Sequence, residues 1–276
     1  MNKKIVFLLI FIVLFLGCLY YINHRTYNIK VVEVNNKYLH FSLDDVHNCL
    51  QSLSTTDKES IFNDSTLAIL KDWHDRYGIV VSIYCQGPFC INSKYGNELN
   101  KNSSWLKFGY HGTKRMKLDI GSFYKQIRDS TGSEAIIDYC PRLDRFNASY
   151  LTCMFLKAYG CIGFLSCDDW AFNAKGRKRN YYLSEEQSAL LDNNSRAVDP
   201  ENGLLFIKSD FRLEQIKKRW GNTANCLKYY ETSPKQAKEL IVFSHEWCFK
   251  QYVSQADSIF RWAIDNGYYF DFPINN

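Results

Sequence analysis

Short apolar runs that end, one after another, in Asp or His leave this chain few ways to fold. Residues 31–43 run into Asp44-Asp45, 105–110 into His111, 161–166 into Asp168-Asp169, and 240–244 into His245. Parallel strands lay their C-terminal ends along one edge, so the pattern predicts an α/β fold with its chemistry gathered at that edge. Between the runs, Ile61, Leu67, Leu70, Trp73 and Tyr77 recur at spacings of three to six and stop at Gly78, which predicts a helix over 61–77. A strand over 79–85 then completes a βαβ unit. Further strands are predicted over 135–140, closed by Pro141, and over 203–207. Helices are predicted over 123–128, 150–159 and 253–266, the last capped by Gly267. No internal repeat or low-complexity linker interrupts the series, which predicts one domain over 27–276.

The first 26 residues form a separate unit. Lys3-Lys4 precedes an unbroken apolar run over 5–22, close to the roughly 20 residues that span a bilayer. No small-x-small cleavage site ends it. The segment 1–26 therefore reads as an uncleaved signal-anchor helix, with its lysines cytoplasmic and the rest of the chain extracytoplasmic. Leu16-Gly17-Cys18 offers a second reading, a lipidated Cys18.

Composition narrows the function classes. A 46% hydrophobic content fills a core and excludes disorder over most of the chain. The net charge of +5 is small and dispersed, and its basic runs at 177–179 and 217–219 lack a nucleic-acid motif. Ten cysteines include no CxxC pair or zinc-ligand series. Cys85 and Cys90 are the closest candidates for a local disulfide. Oligomeric state is not legible.

The residues at the strand ends resemble the polysaccharide deacetylase family, the NodB-like carbohydrate esterases. The resemblance spans about residues 38–250. His40-Phe41-Ser42-Leu43-Asp44-Asp45-Val46 is similar to the family's first motif, which implies Asp44 as general base and Asp45 as metal ligand. Lys107-Phe108-Gly109-Tyr110-His111-Gly112 is similar to the second, implying His111 as a ligand. Pro141-Arg142 stands where an arginine orients the base. Cys167-Asp168-Asp169-Trp170 resembles the motif whose Trp walls the substrate pocket, and Ile241-Val242-Phe243-Ser244-His245 the motif that carries the general acid. The implied fold is an irregular (β/α) barrel, and the implied substrate an acetylated surface glycan or its precursor.

Chemistry points the same way. Amide hydrolysis needs an activated water, a stabilised oxyanion and a proton for the leaving nitrogen. Asp45 and His111 suit a divalent ion such as zinc, Asp44 would take the water proton, and His245 would protonate the leaving group. Asp168 or Asp169 could hold that imidazole charged. Consecutive strand residues point to opposite faces, so Asp44 and Asp45 can share a site only where the backbone breaks alternation. One departure is plain: the second imidazole expected four residues after His111 is absent from Gly112-Thr113-Lys114-Arg115-Met116. His47 could substitute, or His245 could turn toward the ion. The alternatives are a glycoside hydrolase, which needs a second acid such as Asp169 across the sugar, and a non-catalytic carbohydrate-binding pseudoenzyme. His40 reads as a packed core residue and His74 as a surface one.

Overall fold

The computed structural model describes residues 3–24, 28–55, 57–112, 120–168, 179–232 and 238–275, the side chains of 3 and 18–24 apart. Ten strands are described among these residues: β1 Lys30–Val31, β2 Tyr38–Val46, β3 Val81–Cys85, β4 Leu106–Tyr110, β5 Gly163–Asp168, β6 Arg196–Val198, β7 Leu205–Ser209, β8 Phe211–Arg212, β9 Glu239–His245 and β10 Tyr269–Phe270. Five lie in the order β4-β3-β2-β9-β8, and β10 adds to the first residues of β2. All the pairings of this sheet are parallel. The other four lie in the order β1-β6-β7-β5, in which only β5 and β7 pair in parallel. The fold is thus mixed α/β, built on a parallel sheet.

Strand β2 is the centre of this arrangement. It is buried along nearly its whole length, as expected for a strand covered on both faces, although His40, Ser42, Asp44 and Asp45 interrupt its apolar residues. Helices supply the cover. Ser65–Tyr77 starts where the Asp64 side chain accepts from the Thr66 and Leu67 amides, and ends at Gly78, whose φ of 73° is the left-handed cap that glycine adopts without strain. Its Trp73 meets Phe41 of β2 edge-on at 5.4 Å and Phe260 of the helix Val253–Asp265 at 5.2 Å. These three rings bury helix against strand near the middle of β2. His40 also packs inward, 5.7 Å from the Phe272 ring, and burial drives its imidazole down to about 3, the state of a neutral core residue.

Three expectations need correction. Residues 135–140 form no strand and touch β4 through a single bridge, Ile137 to Phe108. The reason is Asp138, which is buried and turns the segment by accepting from the Cys140 amide at 2.7 Å, from Tyr84 at 3.1 Å and from Ser82. His74 is not a free surface residue, because its ring stacks on Trp105 at 4.3 Å and its Nδ1 bonds the Ile79 carbonyl at 2.8 Å. Cys85 and Cys90 are not joined to one another, and no disulfide forms among the cysteines whose side chains are described.

The N-terminal residues Lys3–His24 are helical. Among the described residues no helix is long and apolar enough to cross a membrane.

Candidate active site

The site begins with a break in β2. Asp45 adopts φ 56°, a left-handed conformation that a carboxylate side chain tolerates but does not favour. The pairing of β2 with β3 slips at the same place, between Leu43 and Val46. A bulge of this kind re-aims side chains. Here it frees Asp44 and Asp45 from strict alternation, the condition under which both can serve one cleft.

Asp44 is almost wholly enclosed. Its Oδ1 accepts from Arg142 Nη1 at 2.8 Å, and both side chains are at most 2% exposed. The same guanidinium donates to Ser42 Oγ at 2.7 Å and Ser209 Oγ at 3.0 Å, and lies 3.9 Å over the Phe243 ring. Ser209 Oγ in turn donates a hydrogen bond to the Ser166 carbonyl at 2.6 Å. A planar fork of donors matched to a carboxylate and two hydroxyls is what arginine supplies and lysine does not.

Arg142 has a second task. Its backbone carbonyl lies 2.5 Å from His111 Nδ1, and a carbonyl can only accept, so Nδ1 carries the proton. The other nitrogen, Nε2, then faces Asp45 Oδ1 at 3.2 Å. Burial opposes charge on His111, but the bond to Asp45 and the charges of Asp44 and Asp45 outweigh it and raise its pKa above the usual histidine value. Burial likewise opposes ionisation of Asp45. The His111 bond and the His111 and His245 charges prevail, holding the carboxyl below its usual range.

Strand β9 completes the group. His245 stands opposite Asp44 in the β2-β9 register. Its Nδ1 pairs with Glu214, in the short turn Leu213–Gln215 that follows β8. Burial works against the imidazolium, yet the Glu214 bond and the charges of Asp44 and Glu214 carry the pKa upward. The acid behind His245 is therefore Glu214, not Asp168. The Asp168 carboxylate is taken by Arg212 Nη2 at 2.7 Å, and Asp169 and Trp170 lie outside the described residues.

Beyond His245, Glu246 turns back and accepts from the amides of His47, Asn48 and Cys49 at 2.7 to 2.9 Å. It thereby satisfies the open N-terminus of the helix Asn48–Thr55 and ties the two strand ends together. Trp247 stays 66% exposed, with its ring 5.5 Å from His245 and its indole N–H 3.4 Å from Asp45 Oδ2. Neither Glu214 nor Trp247 was singled out by sequence. Trp247 follows His245 by two residues and was legible, whereas Glu214 sits after a two-residue strand that leaves no pattern.

Ligands of one tetrahedral ion at about 2.0 to 2.1 Å stand roughly 3.3 Å apart, close to the 3.2 Å between Asp45 Oδ1 and His111 Nε2. The carbonyl on Nδ1 fixes the tautomer that leaves Nε2 free to ligate, the usual outer support of a metal histidine. The pair fits an ion, with two protein donors. His47 is exposed and joins neither. Among the described residues, the one group of three His, Cys, Asp or Glu donors within 4.8 Å of each other is Glu214, His245 and Cys248.

No protein-family model matches this sequence, and no curated protein does. Solved structures with a similar arrangement include the catalytic domain of the peptidoglycan N-acetylglucosamine deacetylase from Eubacterium rectale, at 15% identity and TM-score 0.41, covering 87% of this chain and 90% of that one. Another is the family 4 carbohydrate esterase from Streptomyces lividans in complex with acetate, at 11% identity and TM-score 0.38, covering 87% of this chain and 94% of that one.

Proposed function

We propose that this cleft hydrolyses acetyl groups, N- or O-linked, from a cell-surface glycan or its precursor, with Asp44 as general base and His245 as general acid. The observation that carries the reading is the opposition of Asp44 and His245 on adjacent strands, each with its own oppositely charged partner. A base and an acid on neighbouring strands can serve the two proton transfers of one acyl-group hydrolysis.

Asp45 and His111 would hold a divalent ion, zinc by its taste for mixed oxygen and imidazole donors; when bound, it would polarise the acyl carbonyl and acidify a nearby water. Asp44 takes the water proton, its other oxygen anchored by Arg142 so that the carboxylate cannot rotate away. His245, whose protonated form Glu214 favours, delivers a proton from Nε2 to the departing nitrogen or oxygen. Trp247 offers an exposed ring beside His245 and Asp45, suited to the apolar face of a sugar. Asp168, Asp169 and Trp170 are assigned to the substrate-binding wall by resemblance. The exposed apolar side chains of Ile5 to Leu16 support a tether in lipid, which would place the domain outside the cell on its anchor.

The two-donor metal pair favours one second reading, a carbohydrate-binding protein that kept the cleft without turnover. A glycosidase is supported less, since Asp44 and Asp45 are adjacent and cannot flank a sugar as two catalytic carboxylates must. Incubating the full chain with N- and O-acetylated oligosaccharides separates the three. Acetate without new reducing ends is expected. New reducing ends would overturn the reading, and sugar binding with neither product would establish the second one.

A further inference from the structure

The general acid of the proposed reaction belongs to a second donor set. Glu214, His245 and Cys248 each bring one ligand atom within 4.8 Å of the others. Donors around a zinc-class ion, with metal–sulfur bonds of about 2.3 Å and metal–nitrogen bonds of about 2.0 Å, lie between roughly 3.3 and 3.8 Å apart. His245 and Cys248 are joined by a tight turn in which the Cys248 amide bonds the His245 carbonyl at 3.1 Å. That turn keeps their side chains on one side of the chain. The thiol faces the Glu214 carboxylate, and lies 3.6 Å from the His245 carbonyl and 4.0 Å from Ser244 Oγ. Thiolate, imidazole and carboxylate together make a set that soft and borderline cations prefer to magnesium or calcium.

We propose that Glu214, His245 Nδ1 and Cys248 Sγ form a zinc-class metal site distinct from Asp45 and His111, and that filling it withdraws His245 from proton transfer. The inference rests on His245 being the acid. Binding releases two protons to solvent, one from the thiol and one from Nδ1, and the ion takes the place between Nδ1 and Glu214 that the second proton held. His245 keeps its Nε2 proton, but as the N–H of a neutral, metal-bound imidazole. Giving that proton up would leave an imidazolate, so the group is no longer a usable acid near neutral pH. An ion in the Asp45 pair would favour turnover while one in the Glu214 set stops it, a dependence that rises and then falls with ion concentration.

Cobalt(II) titration of the full-length chain tests this without any turnover. The wild type and Asp45→Asn are expected to develop a near-ultraviolet thiolate-to-cobalt absorption that zinc bleaches, and Cys248→Ser is expected to lack it. Glu214→Gln, which keeps the thiol, is expected to weaken cobalt binding by roughly tenfold or more, since a ligand should count at least as much as an outer-shell partner. A wild type without the band, or a band that survives in Cys248→Ser, overturns the proposal. A missing band with normal acetate release sinks this inference alone. Inactivity toward every acetylated glycan, with the band present, sinks the catalytic reading and leaves the metal site.

Discussion

Asp44 and Asp45 are consecutive residues with opposite surroundings, and the contrast explains how one strand end can do two jobs. Asp44 is held by a guanidinium that also holds two serines, and its side chain is 2% exposed. Asp45 sits past a left-handed kink, 25% exposed at its side chain, and faces an imidazole and an indole. The first environment fixes a carboxylate in place, as a base requires. The second presents one outward beside a nitrogen donor, as an ion requires. Arg142 joins the two halves, its side chain setting Asp44 and its carbonyl setting His111.

Substitutions can break this contrast, beginning with the most severe. Asp44→Asn keeps the shape and one acceptor but not the base, and acetate release is expected to fall by about a thousandfold, with an unchanged circular dichroism spectrum. Arg142→Met strands Asp44 as a buried charge. Unfolding by denaturant is expected to show a loss of about 3 to 5 kcal/mol, and a variant of wild-type stability would mean that Asp44 does not depend on this ion pair. Asp45→Asn strikes the exposed half. It is expected to reduce metal retention, measured by elemental analysis, while leaving the unfolding midpoint near that of the wild type.

Two gentler changes sharpen the picture on the β9 side. His245 has its pKa raised, so it stays protonated to higher pH than an ordinary histidine, and the rate falls as pH climbs through that raised value. Glu214→Gln removes the charge behind it, and the alkaline limb of the kcat profile is expected to move to lower pH. A limb that stays put would show that another group sets it. Trp247→Ala is expected to raise KM about fivefold, the loss of a single aromatic contact, with kcat little changed.

Much of this was legible in sequence because apolar runs and their polar ends are local signals. The strands delivering Asp44, His111, Asp168 and His245 follow from hydrophobic periodicity, and the helices around them from caps such as Gly78. What escaped was set by long-range packing. Nothing local marks Asp45 for a positive φ. Residues 135–140 look like a strand because Ile136 and Ile137 are apolar, yet the buried Asp138 takes Ser82, Tyr84 and its own Cys140 amide instead of a ladder partner. Glu214 reaches His245 only because the two-residue strand β8 pairs with β9. The strand order, with four strands in a separate sheet, likewise depends on contacts between distant segments.

The central claim is that Asp44 acts as a base held by Arg142 in an acetyl-hydrolysing cleft. Acetate release from an acetylated oligosaccharide, measured side by side for the wild type and Asp44→Asn under the same metal conditions, tests it most directly. Release by the wild type and about a thousandfold less by the variant is the expected result. Equal release by both proteins would contradict it.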